Sequence, residues 1–249
     1  VSWSIEEADS VRWLREYEGE KFSAVITDPP YSSGGMVRSD RTGPMTKGKY
    51  VTGGSRNESL PDFAGDNRDQ RGFLAWMSLW ASDALRSTLP GGWLLVFTDW
   101  RQMPTVTDAV QAGGWVWRGI AVWNKVGGRP MHGRFRQQTE FIVAATNGPH
   151  KPWEGAPYLP GVFRVSPPRD RIHITEKPVD LLRPLVTIAP PGSLICDPFV
   201  GSGSTGEAVL REGRRFIGCE LVPEIADRAA ERLQRMEGIV ERLARLGAR

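Results

Sequence analysis

An α/β layered domain is the fold class this sequence predicts. Short apolar runs alternate with helical patterns along the chain. One such run, Leu194–Asp197, leads through a glycine-rich turn directly into a helical stretch. The length of 249 residues suits one large domain, or one domain with a small insert. A core of that size can bury roughly 70–75% of the surface its unfolded chain exposes, so it needs neither disulfides nor a structural metal.

Taken in order, Phe22–Thr27 reads as a buried strand ending at Asp28-Pro29-Pro30-Tyr31. Ser32–Gln70 is rich in Gly, Ser, Arg and Lys without a sustained period, the pattern of a mobile functional loop or of disorder. Phe73–Thr88 carries Leu74, Met77, Leu85 and several tryptophans as a helix would, and Pro90-Gly91-Gly92 is expected to end it. Trp93–Phe97 is the next strand and Met103–Ala112 the next helix. Trp115–Asn124 and Thr139–Thr146 read as antiparallel strands flanking a basic loop. Asn147–Arg171 is a Pro-rich connector, and Pro178–Ala189 a helix broken by Pro190-Pro191-Gly192. Leu194–Asp197 and Phe216–Glu220 are strands separated by the glycine turn and a helix. The last helix spans Pro223 to Leu246, with Ile225, Ala229, Leu233, Met236, Val240 and Leu243 at the spacing of one apolar face.

A hydrophobic fraction of 40% and a charged fraction of 24% exclude collagen-like, wholly disordered and disulfide-scaffold classes. Runs such as Trp93–Phe97 and Leu194–Cys196 are too short to cross a bilayer, and no signal peptide is visible. Cys196 and Cys219 lie in apolar stretches without CxxC spacing and read as buried reduced thiols, so a cytoplasmic protein is expected. His132, His150 and His173 are too scattered to suggest a metal. The net charge of +3 is uninformative, but its distribution is not. Between Arg118 and Gln138 stand Arg118, Lys125, Arg129, Arg134, Arg136 and His132 with no acidic residue, among Trp123, Phe135, Gln137 and Gln138. Cations among aromatics and amides suit a nucleic-acid surface; a solvated basic loop explains them equally well.

Two motifs carry chemistry. Asp197-Pro198-Phe199-Val200-Gly201-Ser202-Gly203-Ser204-Thr205-Gly206 follows a strand and opens a helix, where glycines permit close backbone approach and the helix offers free N–H groups. Glu220, ending the next strand, could accept hydrogen bonds from ribose hydroxyls. Gly201, Gly203 and Gly206 fit GxGxxG, so a dinucleotide oxidoreductase, any nucleoside-bearing cofactor or a structural turn all remain open. Asp28-Pro29-Pro30-Tyr31 ends a strand where open α/β sheets bind ligands. Asp28 and the Pro29 carbonyl present two acceptors to an exocyclic amine, and Tyr31 offers a face for a base. Hydride transfer has no use for that set, although a plain Pro-rich turn would also produce it.

TDPPY, then HITEKP, then DPFVGSGSTG resembles the S-adenosylmethionine-dependent amino-methyltransferases of DNA. The order resembles their permuted beta class, in which the catalytic motif precedes the cofactor motif. The resemblance covers nearly the whole chain. It implies a single Rossmann-like methyltransferase domain over residues 1–249, with a mostly parallel seven-stranded sheet and an antiparallel hairpin edge. Residues 32–70, a mobile loop, and 124–172, basic and Pro-rich DNA-recognition segments, would be inserts within it. In a sheet of order 3-2-1-4-5, Leu194–Asp197 would be the central first strand and Phe22–Thr27 the fourth, bringing both motifs to one crevice.

The resemblance further implies methyl transfer from S-adenosylmethionine to the N6 amino group of a flipped adenine in double-stranded DNA, leaving S-adenosylhomocysteine and using no metal. Asp28, Pro29 and Tyr31 would be catalytic. Phe199, Gly201, Gly203 and Thr205 would line the cofactor beside Asp197, and Glu220 would bind its ribose. Lys177 and Pro178 would flank its methionine end, and Asp9 and Ser10 its adenine, although a lone aspartate there is more often a helix cap. Lys125, Arg129, Arg134 and Arg136 would contact DNA. A first-position Asp resembles adenine-N6 enzymes, whereas Ser is more typical of cytosine-N4 enzymes; cytosine-N4 transfer and an RNA or protein amine remain alternatives. A homodimer in a prokaryotic or phage setting is compatible with the resemblance.

Overall fold

A computed structural model of the chain describes residues 2–32, 68–127, 132–133, 135–168 and 176–247. Almost all of the Ser32–Gln70 stretch, with Arg129, Arg134 and His173–Thr175, lies outside the described residues. The strands are β1 (Trp3–Glu7), β2 (Phe22–Thr27), β3 (Thr88–Thr98), β4 (Val116–Asn124), β5 (Thr139–Thr146), β6 (Val162–Arg164), β7 (Leu194–Asp197) and β8 (Arg215–Glu220). The helices are α1 (Ser10–Glu16), α2 (Gln70–Arg86), α3 (Met103–Ala112), α4 (Val179–Val186), α5 (Ser204–Arg211) and α6 (Pro223–Gly247). Among the described residues the strands form one sheet of order β1-β8-β7-β2-β3-β5-β4-β6.

The first five places, β1-β8-β7-β2-β3, are parallel and reproduce the expected 3-2-1-4-5 order with β7 at the centre. β5 runs against β3 and β4, as the hairpin reading required. The sheet has eight strands rather than seven because β6, inside the Pro-rich connector, pairs parallel to Val122–Asn124 of β4. Its three residues are too few for a period, but Phe163 is buried and holds them against the sheet.

The central strands are apolar on both faces because helices cover both. Ala24, Ile26, Leu95, Phe97 and Ile195 pack with Leu181, Leu185, Ala208 and Leu233 of α4, α5 and α6. Val25, Leu94, Val96 and Cys196 point the other way, onto Phe73, Met77, Trp80, Ala109 and Val110 of α2 and α3. Cys196 and Cys219 are free and buried.

Two local expectations are corrected. α2 starts at Gln70, capped by the Asp69 carboxylate, which accepts from Gly72 N at 2.7 Å. It ends at Arg86, before Pro90-Gly91-Gly92, and Thr88 already pairs with Phe22. The Pro-Gly-Gly instead interrupts β3, whose register against β2 jumps from Phe22↔Thr88 to Ala24↔Trp93. Gly91, at φ +77°, makes that excursion possible, and its N–H is received by the Asn147 carbonyl at 2.7 Å. α4 covers Val179–Val186 rather than Pro178–Ala189, since Pro178 precedes the first turn and Thr187 closes the last.

Candidate active site

Parallel strands deliver their carboxyl ends to one edge of the sheet, and there a crevice of about 620 Å³ opens. Its wall takes Ala8, Asp9 and Ser10 after β1, Asp28–Tyr31 after β2, Phe97 of β3 and Asp99–Arg101 just after it. Asp197–Ser202, Ser204 and Thr205 come from the β7–α5 turn, and Glu220 from β8. Because β5 runs backwards, its first residues, Thr139 and Glu140, reach this same edge.

The two motifs are tied together at the strand ends. The Thr27 hydroxyl donates to Asp197 Oδ1 at 2.6 Å, and the Phe199 N–H donates to the same oxygen at 3.0 Å. The glycines then divide by role. Gly201 and Gly203 have φ of +53° and +77°, so both need the left-handed region. Gly206 has a different reason: a Cβ there would lie 2.8 Å from Leu233 and 3.0 Å from Phe216, so it serves the close packing of α5 on α6 and β8. Glu220 braces the turn, its Oε2 accepting from Gly201 N at 2.9 Å and its Oε1 from Val222 N at 3.1 Å. Asp9 is both things the sequence left open. It caps α1, accepting from Val11 N and Arg12 N, and it lines the crevice beside Ser10.

Opposite the turn lies a cluster of charges. The Lys177 ammonium pairs with Asp28 Oδ2 and stands 3.3 Å from Glu140 Oε2. Lys125 pairs with Glu140 Oε1, and the Tyr31 hydroxyl donates to Oε2 at 3.2 Å. Asp28 Oδ1 is buried and accepts no hydrogen bond among the described residues. Burial raises the Asp28 carboxyl above its usual range, against the pull of Lys177. Burial also opposes charge on Lys177 and Glu140, but their opposite-charge partners outweigh it: Lys177 is held above the usual lysine value and Glu140 below the usual glutamate value. Tyr31 is pushed well up by burial and by the Asp28 and Glu140 charges.

The segment carrying Lys177 is anchored one residue earlier. Arg232 of α6 donates to Glu176 at 2.8 Å, to Glu207 of α5 at 2.5 Å and to the Ser202 carbonyl at 3.2 Å. The crevice wall thus brings together Asp9, Ser10, Asp28, Pro29, Tyr31, Lys177, Asp197, Phe199, Gly201, Thr205 and Glu220. Gly203 and Pro178 stand behind it rather than in it. Lys125 is inside the crevice, paired with Glu140, and not on an outer surface, whereas Arg136 is exposed. Glu140 escaped the sequence reading because its place depends on a strand running against its neighbours.

Asp197 is buried deeply enough that its pKa is pushed up to about 7, against the hydrogen bonds from Thr27, Phe199 N–H and Thr205. An acid whose folded pKa exceeds its unfolded one keeps a proton that the unfolded chain has lost. Its contribution to stability therefore declines as pH rises from about 4 to about 7. Asp197→Asn keeps an acceptor for Thr27 and Phe199 and carries no charge. Its melting temperature relative to the parent, followed by calorimetry without ligands, is expected to climb by several degrees between pH 4.5 and 7.5. A pH-independent difference would contradict the assigned titration.

Comparisons with known proteins agree with this architecture. The family model described as DNA methylase matches residues 22–160 and 151–231. The methylase YubD of Escherichia coli (strain K12) is 28% identical over 231 residues, covering 91% of this chain and 88% of that one. Type II methyltransferase M.Cfr9I of Citrobacter freundii is 32% identical over 165 residues, 60% of this chain and 54% of its own length. Among solved structures, the M1.HpyAVI–SAM complex superposes with a TM-score of 0.66 at 24% identity, covering 93% of this chain and 98% of that one. The cytosine-N4-specific PvuII DNA methyltransferase gives 0.69 at 15% identity, covering 96% of this chain and 93% of that one.

Proposed function

The chain belongs to the DNA methylase family, and we propose that within it this protein methylates the N6 amino group of an adenine drawn out of double-stranded DNA. One observation carries the proposal. Asp28 Oδ1 is a buried acceptor that no hydrogen bond reaches among the described residues, at the end of β2 and in the wall of the crevice that the glycine turn also lines. A buried carboxylate oxygen is costly unless something donates to it, and an exocyclic amine does.

The crevice suits S-adenosylmethionine as the methyl source. Positive-φ Gly201 lets the backbone come close to a ligand, and the first N–H groups of α5 have no partners within the helix. Each Glu220 oxygen accepts one backbone N–H and keeps lone-pair capacity for ribose hydroxyls. Asp9 and Ser10 line the same crevice, and the adenine is assigned to them. When bound, S-adenosylmethionine supplies a methyl group on a sulfonium sulfur, which the amine nitrogen takes by direct displacement. The name of M1.HpyAVI–SAM, a structure of this fold, is consistent with that choice.

What the protein's own residues contribute follows from the chemistry of an aromatic amine. Its lone pair is delocalised into the ring. Hydrogen bonds from the amine to Asp28 and to the Pro29 carbonyl localise that pair on nitrogen. The Asp28 charge then stabilises the positive charge developing there, a preorganised electrostatic role. Its raised pKa also suits it to receive the released proton. Tyr31, held by Glu140, offers a ring to the extrahelical base, whose unstacking costs about a few kcal/mol. DNA contacts are assigned to exposed Arg136 and to Arg129 and Arg134. Lys125 is reassigned from phosphate contact to partner of Glu140.

The same acceptors would serve the N4 amine of cytosine; Asp at the first position of the motif, rather than Ser, favours adenine. The test is transfer of labelled methyl to unmethylated DNA, followed by nucleoside mass spectrometry. N6-methyladenine is the expected product. N4-methylcytosine would correct the base and keep the roles of Asp28 and Pro29. No labelled DNA nucleoside, from protein that binds S-adenosylhomocysteine, would overturn the DNA reading.

A further inference from the structure

We infer that Glu140 is a positioning residue that takes Lys177 away from Asp28 when the target base arrives, so that Asp28 meets the amine with its full acceptor strength and charge. The inference rests on the reading of Asp28 just given. Lys177 lies between two carboxylates, paired with Asp28 Oδ2 and 3.3 Å from Glu140 Oε2. Its side chain is only 6% exposed, against 21% for Asp28 and 14% for Glu140. An ammonium buried to that degree must keep a carboxylate partner wherever it goes.

An ammonium fixed on Asp28 is the wrong neighbour for methyl transfer. It withdraws acceptor strength from the carboxylate, and it repels positive charge growing on the amine nitrogen. A swing from Asp28 to Glu140 removes both effects while the ammonium stays paired. That swing is short, because Glu140 Oε2 already stands just beyond normal hydrogen-bond length. Glu140 is itself fixed for the task, by Lys125 on Oε1 and by the Tyr31 hydroxyl on Oε2. Arg232 holds Glu176 and thereby fixes the backbone from which Lys177 swings. Phe97 and Tyr31, whose ring centroids lie 5.3 and 5.4 Å from the ammonium, leave it cation–π contact along the way.

Glu140→Gln keeps the shape and an acceptor for the Tyr31 hydroxyl but no longer holds Lys177 as a charge. Asp28 is then the carboxylate left to Lys177 among the described residues. At saturating cofactor and DNA, the single-turnover rate of Glu140→Gln is expected to fall about 30-fold. Its affinity for S-adenosylhomocysteine, by calorimetry without DNA, should be unchanged. In a Lys177→Met background the same Glu140→Gln substitution should cost less than about threefold, because Lys177 no longer has to be moved and the lost pairing of Lys125 is common to both backgrounds. A crystal structure of the parent protein with S-adenosylhomocysteine and its substrate duplex should place the Lys177 ammonium on Glu140 and beyond hydrogen-bond reach of Asp28.

Equal losses in the two backgrounds, or an ammonium still on Asp28 in that complex, would overturn the inference while leaving the methyltransferase reading intact. A parent protein that transfers no methyl to DNA would overturn both. A fall in S-adenosylhomocysteine affinity matching the fall in rate would show that Glu140 shapes the cofactor site, and would equally remove the inference.

Discussion

Asp28→Ala is expected to lower single-turnover methyl transfer by about a thousandfold or more while S-adenosylhomocysteine still binds as it does to the parent. The size follows from what is removed. The variant loses both the acceptor that localises the amine lone pair and the charge that stabilises the nitrogen as it becomes cationic. Preorganised groups of this kind are worth about a hundred- to a thousandfold each where water is excluded. The fold should tolerate the change, since Lys177 keeps Glu140 within 3.3 Å and is not left as an orphaned buried charge. Asp28→Asn sharpens the test by preserving the shape. Its amide oxygen is a weaker acceptor than a carboxylate and carries no charge to stabilise the nitrogen, so asparagine should be nearly as inactive as alanine. Turnover near that of the parent in either variant, measured by labelled methyl incorporation, would remove Asp28 from the chemistry.

The legible parts of this fold were those whose signal is local. β2, β7, α3 and β5 were bounded to the residue because buried runs and turn residues sit side by side in the sequence. The crevice itself was legible through the strand order that the family resemblance implies, since parallel strands end on the same edge. The illegible parts depended on partners distant in the chain. β1 alternates too weakly over Trp3–Glu7 to declare itself and is a strand because it pairs with β8, from Trp3↔Phe216 onward. β6 needed β4 in the same way. The Pro90-Gly91-Gly92 break was real, but whether it ended a helix or bulged a strand depended on Ser23 and Asn147, whose backbones it meets. In the site, each acidic or basic residue was visible as a type, but the Asp28–Lys177–Glu140–Lys125 chain of pairing was not. Lys125 reads as a phosphate contact until Glu140 is seen to face it.

Gly203 gives the second large effect, and its position behind the crevice wall makes the reasoning different from that for Asp28. Gly203 caps α5 at φ +77° and ψ 13°, a left-handed conformation that a β-branched residue adopts only with strain. A Cβ there would lie 3.1 Å from Ala229 Cβ and 3.2 Å from Ala229 Cα, both on α6. That helix is anchored to the core through Ala229, Leu233 and Met236 on the same face, so its retreat would open that packing. In Gly203→Val the turn must therefore move the other way, into the crevice. It would carry with it the Gly201 N–H that now sits on Glu220 and the first N–H groups of α5. Strain of this kind is worth about 1–3 kcal/mol for a non-glycine residue in the left-handed region, and the added contact raises it. Affinity for S-adenosylhomocysteine is expected to fall by about a hundredfold, with a lower melting temperature. Gly203→Asn separates the two causes, because asparagine tolerates the left-handed region but still meets Ala229. It should bind better than valine and worse than glycine. Parental affinity in a folded Gly203→Val protein would mean that the turn does not set the cofactor site, whatever its resemblance to one.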